Sequence, residues 1–215
     1  MLDFNLSDEQ QMLVEMTSSF VEKDMMPYEK ILETKDFLPS DLAATLKKKS
    51  IELGLHACNL PEEVGGGGLD AVSVMLIEKE LGRTSLALAE CAHRPLNILS
   101  ACQGKQVTEF LVPTVQGKKR DCIAMTEPEA GSDLRGMNCK ANREKGHWLI
   151  NGVKHFISQA AVSDYCVLFA ATGEEETDKG TKKRISAFLV DFSDSGVEVA
   201  DGYKNVSHRG YTNNI

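Results

Sequence analysis

The stretch Leu111–Asp133, LVPTVQGKKRDCIAMTEPEAGSD, holds the change that decides the fold. Before Gly117 the apolar residues recur with helical spacing, and after it they come in short runs rich in β-branched and aromatic residues, divided by turn residues. That change predicts an α+β chain with its boundary at Gly117: an N-terminal α-helical bundle over 1–117, followed by an antiparallel β-barrel domain over 118–215.

Upstream, Ser7 and Gln10 form an S-x-x-Q capping box ahead of Leu13, Met16 and Phe20 on one helical face. A second helix is predicted from Ser40 to about Gly54, with Leu42, Leu46 and Leu53 on one side. A third carries Val74, Ile77 and Leu81 as its apolar stripe. Pro95 must kink or split the apolar run Leu86–Cys102, and Val107–Val115 makes a last short helix. Downstream, the expected strands are Cys122–Met125, His147–Ile150, Val153–Ser158, Tyr165–Ala171, Ile185–Val190 and Val197–Ala200. Asn151-Gly152 is the strongest hairpin signal, and the charged tract Gly173–Lys183 is expected to be a mobile hairpin loop.

A net charge of -8 offers no basic field to a phosphate backbone, which argues against nucleic acid as a partner. Six scattered cysteines without C-x-x-C spacing suggest neither a disulfide framework nor a zinc site, and no histidine has metal-ligand spacing, so no metal is expected. The start lacks a leader pattern and no run approaches a membrane span, so the expected location is cytoplasmic.

Gly65–Gly68 invites a phosphate-loop reading but lacks the Lys-Ser/Thr that closes a Walker loop, so a flexible interhelical loop is the plainer reading. The basic clusters Lys47–Lys49, Lys118–Arg120 and Lys182–Arg184 suit either a phosphorylated ligand or a solvated face. In AMTEPEAGSD, Thr126 ends a strand, Pro128 stiffens the exit, Gly131 permits close backbone approach and Ser132 presents a second hydroxyl. That pattern suits a small-molecule cradle, and equally a strand end followed by a turn. Glu127 and Glu129 suit acid and base roles, or solvated turn carboxylates.

The order of FNLSDEQQ, LPEEVGGGGLD, AMTEPEAGSDL, WLINGVKHFISQA and SHRGYTNN resembles the acyl-CoA dehydrogenase family along essentially the whole chain. The resemblance implies FAD as cofactor and α,β-dehydrogenation of an acyl-CoA thioester. It implies a flavin wall at Ile123, Met125, Thr126, Gly131 and Ser132, with Thr126 bonding the isoalloxazine and Ser132 also near the CoA part of the substrate. Phe156-Ile157-Ser158 is similar to the family's Trp-Ile-Thr segment, in which the aromatic packs beside the flavin and the hydroxyl reaches its N5-O4 edge. Electron-transferring flavoprotein is the implied acceptor, and the full-length family implies homo-oligomers.

Three departures imply altered fit: Phe156 in place of Trp, Ser158 in place of Thr, and Ile123 where an aromatic is often found. The family continues past the position of Ile215 into a last barrel strand and a C-terminal helical domain that carries the catalytic Glu, so no catalytic residue is assigned here. Two further readings stay open, an enoyl-CoA reductase of the same fold and a non-catalytic flavin-binding or assembly module.

Overall fold

A computed structural model describes residues 5–178, 180–206 and 208–215. Ser7 starts helix α1 (Asp8–Phe20) by accepting a hydrogen bond from the Gln10 amide, while the Gln10 side chain accepts one from the Ser7 amide at 3.1 Å. Phe4, at the head of the FNLSDEQQ motif, lies outside the described residues. The helix widens into a π turn at Val21–Met25 and tightens to a 3₁₀ turn at Met26–Tyr28, where Pro27 withholds an amide donor. Helix α2 (Glu29–Lys35) follows, which the apolar spacing alone had not indicated.

Helices α3 (Ser40–Glu52) and α4 (Ala71–Leu81) match the expected second and third helices. Pro95 lies between helix α5 (Leu86–Ala89) and a 3₁₀ turn at Asn97–Ala101, so the run is split rather than kinked. A π turn at Val107–Leu111 leads into α6 (Val112–Val115). Phe20, Val21, Met25, Leu46, Ile77 and Leu88 are buried together as the core of these helices. Arg83, just past α4, ties the end of that helix to the π turn after α1 by pairing with Glu22 at 2.6 Å and Glu80 at 2.8 Å.

The four glycines are a packed crossing. The amides of Gly65, Gly66, Gly67 and Gly68 bond the carbonyls of Glu62, Pro61, Ala57 and Leu60, so none points at an anion. A Cβ at Gly66 would sit 2.2 Å from the Leu60 carbonyl oxygen, and one at Gly67 2.8 Å from Cys58 Cα. Close approach, not phosphate binding, demands glycine there.

The chain divides into two compact units, Met1–Lys119 with Asn205–Tyr211, and Arg120–Lys204 with Thr212–Ile215. The returning segment packs Tyr211 on the helical core and forms a bridge between Phe37 and Gly210. Ser207, in the SHRGYTNN motif, lies outside the described residues.

The second unit corrects the expectation of an antiparallel barrel. Strand β1 (Asp121–Ala124) runs parallel to β5 (Tyr165–Thr177), and β2 (Lys140–Glu144) also joins β5 in parallel at Lys140 and Ala171. The long connection from β1 to β5, which contains the hairpin of β2 with β3 (His147–Asn151), acts as a crossover and returns the chain in the same direction. Strand β6 (Gly180–Asp191) completes a mixed five-stranded sheet as the antiparallel partner of β5. Trp148 on β3 meets Phe188 on β6 edge to face at 5.5 Å, so the sheet curls without closing.

Four local expectations change. The two positive φ angles of the β2–β3 turn belong to Lys145 (47°) and Gly146 (89°), not to Asn151-Gly152. Of Val153–Ser158 only Ile157–Ser158 is a strand (β4), because Lys154 turns inward and Phe156 takes a φ of 57°; it pairs with β7 (Asn213–Asn214). Val197–Ala200 is not a strand, although Ala200 exchanges backbone hydrogen bonds with Ile215. The tract Gly173–Lys183 extends the β5–β6 ladder with Glu174 opposite Lys183 and Glu175 opposite Lys182, opposite charges that favour pairing over a free loop. Lys179, at its tip, lies outside the described residues.

Candidate functional site

Strand β1 alternates as its pleat requires: Cys122 and Ala124 are buried while Ile123 is exposed on the other face. Met125 and Thr126 follow half-buried, and then Glu127 and Ala130 exchange backbone hydrogen bonds around Pro128-Glu129. Proline fixes φ for such a turn, which stops the strand. Gly131 and Ser132 lie exposed beyond it, and Asp133 caps the 3₁₀ turn Leu134–Gly136 through the Arg135 amide.

The two turn carboxylates have different fates. Glu129 is exposed, whereas Glu127 is only 4% exposed, contrary to the solvated reading of the pair. The Lys154 ammonium lies 2.8 Å from Glu127 Oε1 and also donates to the Met125 carbonyl at 3.1 Å. The amides of Asn138 and Cys139 donate to the two oxygens of Glu127. Burial pushes the Glu127 carboxyl up, but the hydrogen bonds from Lys154, Asn138 and Cys139 and the Lys154 charge outweigh it and hold the group below its usual value. The His155 amide donates to the Thr126 carbonyl at 2.8 Å. One buried ion pair and one backbone bond therefore clamp residues 125–127 to residues 154–155.

Next to the clamp, the Phe156 ring is 51% exposed and stacks on His155 at 4.0 Å. Tyr203 braces both, with its hydroxyl 2.9 Å from His155 Nε2 and its ring 5.1 Å from Phe156. Ile157 is buried under β1 with Ala124 and Cys166, and Ser158 is half-buried opposite Asn213. Among the described residues, the hydroxyls of Thr126, Ser132 and Ser158 have no hydrogen-bond partner in the protein. Asn213 Oδ1, on the strand beside Ser158, and Thr212 Oγ1, one residue before that strand, are buried without a partner as well.

The structure thus brings Met125 and Thr126 to the segment that carries Phe156, Ile157 and Ser158, and sets Gly131 and Ser132 past the turn. Sequence reasoning passed over Lys154, His155 and Tyr203. Lys154 alone gave a signal, a cation inside a stretch read as strand, which when buried requires a carboxylate. The described residues contain no group of three or more metal-ligating side chains and no helix long and apolar enough to cross a membrane.

A probable acyl-CoA dehydrogenase of Bacillus subtilis, YngJ, is 32% identical over 216 residues, covering 97% of this chain and 54% of that protein. Butyryl-CoA dehydrogenase from Megasphaera elsdenii superposes with a TM-score of 0.81 at 26% identity, over 99% of this chain and 56% of that one. An acyl-CoA dehydrogenase from Bacillus anthracis, solved as a complex with FAD, gives 0.81 at 27% identity, over 100% of this chain and 36% of that one. The chain spans about half the length of the curated relatives it matches. Residues 7–118 match the acyl-CoA dehydrogenase N-terminal domain and residues 122–214 the middle domain, and with both in order along one chain, the protein belongs to the acyl-CoA dehydrogenase family.

Proposed function

We propose that this chain forms the helical and flavin-binding portion of an FAD-dependent acyl-CoA dehydrogenase that forms the α,β double bond of an acyl-CoA thioester. The observation that carries the reading is the clamp: one buried ion pair fixes two segments that each present a hydroxyl without a protein partner, Thr126 and Ser158. Buried polar groups need partners, and the orphaned oxygens of Thr212 and Asn213 beside Ser158 fit a polar-edged ligand. FAD supplies the hydride acceptor when bound. Thr126 and Ser158 would hold its polar edge, Ile123, Met125, Phe156 and Ile157 would cover its rings, and Gly131 would leave room for close approach.

Ser132 would take the CoA part of the substrate. Glu127 does not serve as the base, because both of its oxygens already accept hydrogen bonds within the clamp. No residue of this chain is assigned to proton removal. Electron-transferring flavoprotein is the proposed acceptor and a homo-oligomer the proposed assembly. Six free thiols, five of them buried, support a reducing compartment such as the cytoplasm.

The test is the visible spectrum of the purified chain after incubation with FAD, followed by anaerobic addition of acyl-CoAs. Bound flavin whose affinity falls in Thr126→Ala and Ser158→Ala supports the proposal, and bleaching by a saturated thioester sets the direction as dehydrogenation. Absence of flavin binding, or binding indifferent to both substitutions, overturns it.

A further inference from the structure

Phe156 takes a φ of 57°, a region that a bulky aromatic residue rarely adopts, so contacts around it must offset the strain. The clamp fixes the backbone only as far as the His155 amide, and the half-exposed Phe156 ring is set by two neighbours. The His155 imidazole stacks on it at 4.0 Å with the planes 29° apart. The Tyr203 ring lies 5.1 Å from Phe156 and meets His155 edge to face at 5.3 Å. The hydrogen bond between the Tyr203 hydroxyl and His155 Nε2, at 2.9 Å, fixes how the imidazole is turned. Each of the three rings therefore touches the other two.

Tyr203 is itself fixed by its backbone. Its amide donates to the Asn213 carbonyl at 2.9 Å, and at Gly202 a Cβ would sit 1.5 Å from that same oxygen. Only glycine permits so close a crossing. Asn213 is the residue opposite Ser158 in the β4–β7 pairing. Tyr203 thus braces the Phe156 ring with its side chain, and with its amide it holds the strand against which Ser158 is set.

We infer that His155 and Tyr203 are positioning residues, which fix the angle of the Phe156 ring toward the flavin and register that ring with the Ser158 hydroxyl. The inference rests on the flavin reading proposed above, and both residues act through Phe156. The experiment titrates FAD into the full chain and into its variants and follows the visible bands of the bound flavin. His155→Ala and Tyr203→Ala should each weaken binding about three- to tenfold, the size of one aromatic pair, and shift the bands toward those of free FAD. Tyr203→Phe, which keeps the ring and loses the hydroxyl, should recover part of both changes. The double His155→Ala/Tyr203→Ala variant should be little worse than the stronger single one, and in a Phe156→Leu background neither substitution should matter.

A second readout needs no flavin. The ring resonances of Phe156 in the NMR spectrum, assigned by their loss in Phe156→Leu, should lie upfield in the wild-type chain and move back in His155→Ala and in Tyr203→Ala. Unchanged flavin affinity and bands in both alanine variants, strict additivity in the double one, or ring resonances indifferent to both substitutions overturns the inference. A chain that binds FAD through Thr126 and Ser158 but is indifferent to His155 and Tyr203 keeps the dehydrogenase reading and loses this one. A chain that binds no FAD loses the flavin reading, and the Phe156 resonances then decide whether the two residues hold the ring.

Discussion

Replacing Lys154 by Met removes the ammonium from the clamp while nearly conserving the length of the side chain. Side chains of the pair are 7% and 3% exposed, so the carboxylate left behind has no access to water. Breaking such a pair from one side costs about 3–5 kcal/mol. Glu127 keeps its amide donors at Asn138 and Cys139, which places the expected loss near 3 kcal/mol. Urea unfolding followed by Trp148 emission reads the sheet unit alone, which avoids treating two units as one transition.

In the double variant Glu127→Gln/Lys154→Met, no buried charge is stranded, so its loss should fall short of the summed single losses by at least about 1 kcal/mol. The pH dependence has a fixed sign. Because the folded carboxyl lies below its usual value, its contribution is present above about pH 4.3 and lost as the pH falls further. The Lys154→Met deficit should therefore be largest at neutral pH and shrink in acid. A deficit under about 1 kcal/mol at pH 7, strict additivity with Glu127→Gln, or a deficit that grows in acid would refute the clamp.

Ser7→Ala removes the cap that holds the Gln10 amide and should cost about 1 kcal/mol, read from the helical circular dichroism melt. Gly66→Ala forces a methyl against the Leu60 carbonyl, which is backbone and cannot turn aside; a loss of roughly 2–3 kcal/mol in the same melt is expected, and a neutral result would mean the loop is not packed as described. Burial pushes the Cys122 and Cys166 thiols up to about 12, while Cys102 is only half-buried. At pH 8 a disulfide reagent should accordingly titrate Cys102 first in the native protein and all six thiols only after unfolding.

The helical half was legible where its signals are local. Ser7 and Gln10 are three residues apart, and Val74, Ile77 and Leu81 share one stripe, so a short window contains the whole argument. Strand β2 escaped because Lys140, Asn142, Arg143 and Glu144 face solvent and leave only Ala141 as a buried residue. Asn151-Gly152 has better turn propensity than Lys145-Gly146, but β3 pairs backward with β2, so tertiary pairing overrode the local preference. The parallel alignment of β1 with β5, and the meeting of Glu127 with Lys154, join residues far apart in sequence and left no periodic trace. For the site, Thr126, Phe156 and Ser158 were read from motif resemblance, while the ion pair behind them needed the fold.

The pairing of Ile157–Ser158 with Asn213–Asn214 also sets a clock on biosynthesis. These partners are more than fifty residues apart, so β4 leaves the ribosome well before β7 exists. At about 5–20 residues per second, the edge next to Ser158 stays without its partner for several seconds. Long-range pairings of this kind form late, after their loop-closure cost has been met. Through that interval the Lys154 clamp, whose parts are all made earlier, can hold Thr126 and Phe156 in place, and Ser158 is the last of the three to be fixed.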